Sequence, residues 1–243
     1  MSILSDTIKK IRRPFCSMVV VAAGNSSRMG EDKLLLELGG MPVIARTLLA
    51  FEKCEAVDEI IVVTREDLIE KCVALCMEYG IEKANKFLIG GSDRLHSALA
   101  GVMEASEEAK LIGIHDGARP FVTGELIESV VQCAAKFDAA APAVPVNDTI
   151  KLAAGGVVET TPVRDNVFAV QTPQVFLPDI IKCALTAAAE NELAITDDCS
   201  AVEELGMPVR LVTGDADNIK LTTPRDIDLA RIILRQREAE LCE

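Results

Sequence analysis

Apolar residues fall into two alternating patterns along the chain. Runs in which nearly every position is apolar, at 17–23 (SMVVVAA), 59–64 (EIIVVT) and 111–115 (LIGIH), are short and end at Gly or a polar residue. Longer stretches carry apolar positions three and four apart, at 42–54, 66–79 and 124–137, the second stopping at Gly80. The short runs read as strands buried on both faces and the periodic stretches as helices. Further strands are expected at 86–89, 138–144 and 209–213. Further helices are expected at 92–106 with Ser92 as cap, at 178–189 and 197–205, and from Pro224 to about 240 with Thr223 as cap. Strands alternating with such helices predict an α/β fold, a mostly parallel sheet covered by helices on both faces.

The alternation fails after Pro145. Residues 146–171 hold short β-type pieces, a Gly155-Gly156 turn and Pro162, and no amphipathic helix. This predicts a β-arm or hairpin leaving the main sheet. The expected organisation is an N-terminal extension (1–16) and a single domain (17–243) that carries the arm at about 146–171.

Composition narrows the possible functions. With 49% hydrophobic and 26% charged residues over 243 positions, the chain is ordinary globular protein, long enough to bury a core without disulfide or metal. The net charge of −13 argues against binding duplex nucleic acid, and the absence of Trp with a single Tyr argues against a base-stacking platform. Only two His are present, which argues against a His-rich zinc site. None of the eight Cys forms a C-x-x-C pair, and Cys72 and Cys76 share one helical face, so free, buried thiols in a reducing compartment are expected. Residues 1–15 are positively charged without a continuous apolar stretch, and the longest apolar run, 18–23, is too short to span a bilayer. A cytoplasmic protein with no membrane or nucleic-acid partner is expected.

Open α/β sheets bind ligands beyond the carboxyl ends of their strands. The first strand is followed by Ala22-Ala23-Gly24-Asn25-Ser26-Ser27-Arg28-Met29-Gly30 and then Lys33. Small residues let backbone N–H groups form an anion nest, and Arg28 and Lys33 add fixed positive charge; the plain alternative is a solvated surface loop. The spacing is neither G-x-G-x-x-G nor G-x-x-x-x-G-K-[ST]. A second glycine-rich turn, Gly90-Gly91-Ser92-Asp93-Arg94 with Ser97 one turn on, suits a ribose or base edge, or is simply a tight turn with a helix cap. His115-Asp116-Gly117-Ala118-Arg119-Pro120 puts a carboxylate at a strand tip, placed to hold Mg²⁺ with phosphate oxygens or to pair with Arg119; His115 is expected to pack or hydrogen-bond locally. Asp217 and Lys220, three apart after the last strand, could meet phosphates from the opposite side, or form an acidic turn with a solvated Lys. Thr196-Asp197-Asp198 reads most simply as a capping sequence. Taken together, the two glycine-rich turns, the strand-tip acids and the cations ask for a nucleoside triphosphate with Mg²⁺ or another divalent cation.

The motifs Ala22-Ala23-Gly24…Arg28-Met29-Gly30…Lys33, Gly91…Arg94…Ser97, His115-Asp116-Gly117-Ala118-Arg119-Pro120, Thr172-Pro173-Gln174, Thr196-Asp197 and Asp217-Asn218-Ile219-Lys220 occur in one order. In this the chain resembles the sugar-phosphate cytidylyltransferases, most of all those acting on 2-C-methyl-D-erythritol 4-phosphate, from about Ser17 onward. The resemblance implies a Rossmann-like fold of nucleotidyltransferase type and transfer of CMP from CTP to the sugar phosphate, without a covalent enzyme intermediate. It implies that Arg28 and Lys33 grip the triphosphate, that Lys220 assists, and that Asp116 and Asp217 hold Mg²⁺ directly or through water. By the same resemblance the backbone of Ala22, Ala23, Gly24 and Gly91, with Ser97, reads the base, and Gly117 approaches the ribose. Thr196 would meet the acceptor in its own chain, while Thr149 and Arg164 would come from the arm of a partner in a symmetric homodimer. Gly117 stands where relatives usually carry Ala, a change of little expected consequence, and Ser92 where they often carry an acid. Competing expectations are a ribitol 5-phosphate cytidylyltransferase, a molybdopterin nucleotidyltransferase and a catalytically silent nucleotide-binding regulator.

Overall fold

The computed structural model describes residues 13–24 and 32–240. Most of the expected N-terminal extension, Arg28 with its neighbours at 25–31, and Cys242 lie outside the described residues. In chain order the strands are β1 (Cys16–Ala22), β2 (Glu37–Leu38), β3 (Met41–Pro42), β4 (Glu59–Thr64), β5 (Ala84–Ile89) and β6 (Leu111–Asp116). They continue with β7 (Ala139–Pro145), β8 (Leu152–Ala154), β9 (Val157–Thr160), β10 (Phe168–Val170), β11 (Gln174–Phe176) and β12 (Arg210–Thr213). The helices are α1 (Val43–Lys53), α2 (Glu66–Tyr79), α3 (Arg94–Met103), α4 (Gly124–Phe137), α5 (Pro178–Glu190), α6 (Asp198–Glu204) and α7 (Pro224–Glu240).

The main sheet runs β5-β4-β1-β6-β11-β7-β10, with β12 also beside β7. β1 is parallel to β4 and β6, β4 to β5, and β12 to β7. β11 is antiparallel to β6 and β7, and β10 to β7. The fold is thus α/β with a mostly parallel sheet, as the alternating pattern predicts. Alternate side chains of the strands feed two cores. Met18, Val20, Ile60 and Val62 pack with α1, α2, α4 and α7. Val19, Ile61 and Val63 pack on the other face with α3, α5 and α6. Helix α3 lies very close to the sheet because position 101 carries no side chain: a Cβ there would stand 2.3 Å from Val19 Cγ1. Among the described residues no helix is long and apolar enough to cross a membrane.

Three sequence expectations need correction. The segment 146–171 does not leave the main sheet entirely. β8 and β9 form a separate two-stranded sheet, but β10 returns to pair with β7, because Phe168, Ala169 and Val170 align with Pro145, Val144 and Ala143. β11, three buried residues wedged between β6 and β7, is absent from the sequence expectation, being too short to show a period. The cap of α3 is Asp93 and not Ser92. Asp93 accepts the His96 N–H, while the Ser92 hydroxyl donates to the Asp93 carboxylate at 3.1 Å. Asp197, by contrast, caps α6 as expected, in a reciprocal box with Ser200.

Candidate active site

The carboxyl ends of β1, β4, β5 and β6 surround a cavity of about 480 Å³. β1 lies between β4 and β6, where successive connections turn from one half of the sheet to the other, the usual ligand position in such sheets. Ala22, Ala23 and Gly24 line it after β1, with Lys33 beyond them; Gly91 and Ser97 line it after β5. Asp116 enters from the tip of β6 and Lys220 from the loop after β12. Eight residues expected at one site are therefore together.

The glycine turn is shaped by contact. A Cβ on Gly90 would stand 2.2 Å from Ala23 Cβ, and one on Gly91 would stand 2.4 Å from His96 Cβ, so the wall of the cavity closes only with bare backbone at both positions. The Gly91 N–H donates to Ser97 Oγ at 3.1 Å, and that hydroxyl donates to the Asp93 carbonyl at 2.7 Å.

Asp116 is the electrostatic centre. Lys220 Nζ lies 2.9 Å from its Oδ2, Arg94 Nε 3.3 Å from its Oδ1, and Arg119 Nε 3.5 Å from Oδ2. Burial alone would raise the Asp116 pKa, but Arg94, Lys220 and Arg119 hold it well below the ordinary carboxylate range. Arg94 in turn donates from Nη1 and Nη2 to the two oxygens of the fully buried Asp198, at 3.0 and 2.7 Å. Burial opposes its charge, yet the two carboxylates hold Arg94 above its ordinary value. Removing one partner of a buried pair of this kind costs about 3–5 kcal/mol.

Three sequence motifs interlock behind Asp116. His115 Nε2 lies 3.2 Å from the Arg119 carbonyl, which can only accept, so Nε2 carries the proton and Nδ1 is the acceptor. The Thr172 hydroxyl then donates to Nδ1 at 3.0 Å and accepts the Asp116 N–H at 3.1 Å. Full burial pushes the His115 pKa down to about 3, so the ring is neutral, and it packs edge-on against Phe51. It is a brace, as its sequence context suggested. Asn218 donates to the Thr172 carbonyl at 2.9 Å and its own carbonyl accepts from Arg119 Nη1 at 2.7 Å, which fixes the turn that delivers Lys220.

Other expected residues are not at the cavity. Gly117 uses its N–H on the Val21 carbonyl (2.8 Å) and its C=O on the Thr47 hydroxyl (3.0 Å), so both backbone groups are committed inside the fold. A methyl there would stand 3.1 Å from Ala22 Cβ and Ile44 Cδ1, so a larger residue at this position would require these neighbours to shift by a few tenths of an ångström. Asp217 does not line the cavity; its N–H bonds the Asp215 carboxylate at 2.8 Å, and the turn presents Lys220 in its stead. Thr149 and Arg164 are exposed on the arm and hydrogen-bonded to each other at 3.1 Å, and Thr196 is exposed just before α6. None of the three lines the cavity. Sequence inspection passed over Arg65, at the tip of β4, which borders the cavity, pairs with Asp32 and Asp67, and donates to the Gly24 carbonyl at 3.4 Å. It took Arg94 only as a motif residue and Asp198 only as part of a capping sequence; the strand-end rule applied to 59–64 would have found Arg65, and nothing local marks Asp198 as the partner of Arg94.

A family model described as 2-C-methyl-D-erythritol 4-phosphate cytidylyltransferase matches residues 16–236. The chain belongs to this family. It is therefore an enzyme, a nucleotidyltransferase. A cytidylyltransferase of that name from Halalkalibacterium halodurans is 44% identical over 91% of this chain and 98% of its own length. One from Geotalea uraniireducens is 42% identical over 91% and 97%. Among solved structures, the 4-diphosphocytidyl-2C-methyl-D-erythritol synthase of Anaerococcus prevotii superposes with a TM-score of 0.83 at 30% identity, covering 91% of this chain and 96% of that one. The cytidylyltransferase of Thermus thermophilus gives 0.71 at 32% identity, covering 89% and 98%. In this cytidylyltransferase no three His, Cys, Asp or Glu side chains come together as a metal cage among the described residues. Of the acids that border the cavity, Glu66, Asp93 and Asp116, only Asp116 stands at the tip of β6 beside Lys220, which fits an ion such as Mg²⁺ that takes its other donors from phosphates and water.

Proposed function

We propose that this chain transfers CMP from CTP to 2-C-methyl-D-erythritol 4-phosphate, giving 4-diphosphocytidyl-2-C-methyl-D-erythritol and pyrophosphate for non-mevalonate isoprenoid biosynthesis. The observation that carries this reading is Asp116 flanked by Lys220 and Arg94 in a cavity of nucleotide size. A phosphate oxygen of the acceptor attacks the α-phosphorus of CTP in line. The bond from that phosphorus to the oxygen bridging to the β-phosphate breaks, and pyrophosphate leaves with the electron pair. Both reactants are anions, so catalysis consists of positioning and charge neutralisation. Lys33 and Lys220, with Arg28, take up charge on the triphosphate. Ala22, Ala23, Gly24, Gly91 and Ser97 seat the nucleoside. Asp116 would hold Mg²⁺ or another divalent cation, whose charge would offset that of the phosphates when bound.

The acceptor is gripped by Thr196 and by Thr149 and Arg164 from the arm of a second copy. This accounts for the exposed apolar side chains of the arm, among them Leu152 at 51%, Val157 at 70% and Val163 at 66% exposure. The working form proposed is a homodimer in the cytoplasm. The test is pyrophosphate release from CTP with a panel of polyol phosphates. Turnover greatest with 2-C-methyl-D-erythritol 4-phosphate supports the reading. Greater turnover with ribitol 5-phosphate would replace the acceptor, and CTP binding without turnover on any acceptor would replace the enzyme by a regulator.

A further inference from the structure

Asp198 does not border the cavity, yet it determines what Arg94 can do there. A guanidinium offers five N–H donors in a rigid plane. Asp198 occupies both terminal nitrogens, at 3.0 and 2.7 Å, the bidentate geometry of an ionised pair. Asp116 is left with the Nε edge alone, at 3.3 Å. Its second oxygen faces Lys220 at 2.9 Å and Arg119 at 3.5 Å. Asp198 is itself immobilised. Its own side chain is fully buried, its neighbour Asp197 accepts from Gln174 Nε2 at 2.8 Å, and the Cys199 N–H donates to Gln174 Oε1 at 3.0 Å. Without the Asp198 carboxylate, Arg94 would be free to turn its two terminal nitrogens onto Asp116 and occupy both oxygens of the carboxylate at the strand tip.

We propose that Asp198 is a positioning residue for nucleotidyl transfer: it holds Arg94 edge-on to Asp116 and so leaves that carboxylate uncapped and oriented toward Lys220 and the phosphates. This deepens the reaction proposed above and rests on it. The link has a second consequence. Asp198 lies two residues after Thr196, so the segment assigned to the acceptor and the strand tip assigned to CTP are joined through one arginine.

The test is steady-state kinetics on Asp198→Asn, Arg94→Met and the double variant, each with its thermal unfolding curve recorded. Wild-type turnover in the same assay separates failure of the reaction from failure of this assignment. Asp198→Asn is expected to lower kcat by about 10–100-fold, as for residues that orient a ligand-holding group, with the CTP KM within about threefold of wild type. Asp198→Glu, which restores the charge, is expected to recover part of the loss. In the Arg94→Met background, Asp198→Asn is expected to cost nothing further in kcat. A wild-type kcat in Asp198→Asn, or a loss that multiplies in full with that of Arg94→Met, overturns the proposal. Should Asp198→Asn not fold, Arg94→Met/Asp198→Leu replaces the pair with apolar groups, which proteins often accept. A folded double variant within about threefold of the Arg94→Met kcat supports the proposal, and a slower one overturns it.

Discussion

Lys220 Nζ lies 2.9 Å from Asp116 Oδ2 and joins the loop after β12 to the tip of β6. The contact is made possible by Asn218, which ties the same turn to Thr172 and Arg119. If Lys220 neutralises charge developing on the phosphates, Lys220→Ala lowers kcat by about 10²-fold, as for loss of one charge-stabilising donor. Pyrophosphate release at saturating CTP measures this, and near-normal turnover would remove Lys220 from the chemistry.

His115 gives a signature on acidification. Its folded pKa, about 3, lies below the ordinary 6.5, so folding stability is fully present above pH 6.5 and is lost as pH falls toward 3. Asp116, also depressed, acts with the same sign but only below about pH 4. Between pH 6.5 and 4 the wild type is expected to lose about 3 kcal/mol through His115. His115→Gln, less stable at neutral pH, shows a flatter profile over that window in urea titrations. Parallel profiles for the two proteins would disprove the assignment.

Gly90→Ala places a methyl 2.2 Å from Ala23 Cβ at the wall of the cavity. The expected result is a folded protein whose CTP affinity drops at least about tenfold, since the two turns seating the nucleoside are forced apart. Calorimetric titration with CTP reads this out, and wild-type affinity would show that the wall yields.

Arg164→Ala is expected to raise the KM for the acceptor and to spare that for CTP, because Arg164 stands on the arm and away from the cavity of its own chain. Mixing Lys33→Ala with Arg164→Ala protomers then restores about a quarter of the sites, since free assortment gives heterodimers with one intact composite site. No recovery on mixing would rule out sites shared between copies.

The thiols divide by burial. Desolvation pushes Cys16 and Cys76 up to about 12 and Cys72 to about 11, whereas Cys183 is exposed. Brief alkylation of the native protein followed by mass mapping is expected to modify Cys183 and to leave Cys16, Cys72 and Cys76 intact. Modification of Cys72 at a comparable rate would contradict the packing of α2.

The pattern of apolar residues was enough to place the parallel strands, because β1, β4 and β6 are apolar on both faces and bounded by glycine or charge. The strand-end rule then picked out Lys33, Asp116 and Lys220, which all line the cavity. What escaped is non-local. β11 is recognised only by its neighbours β6 and β7, and Asp198 looks like one more acid in a capping sequence until Arg94 is seen against it. Asp217 shows the reverse: proximity in sequence to Lys220 suggested a shared direction, and the Asp215–Asn218 turn separates them.

The ribbon from Arg164 through β10 to Thr172 and β11 is continuous, with Gln171 held to the Pro142 carbonyl and Thr172 to the Asp116 amide. Lengthening it anywhere between Phe168 and Gln174 would slacken the fastening of the strand tip, whereas an added residue at the Gly155-Gly156 tip would only extend the hairpin. Tolerance to insertion should therefore change abruptly along this one stretch, and an insertion scan would trace where a reaching limb ends and a catalytic hinge-post begins.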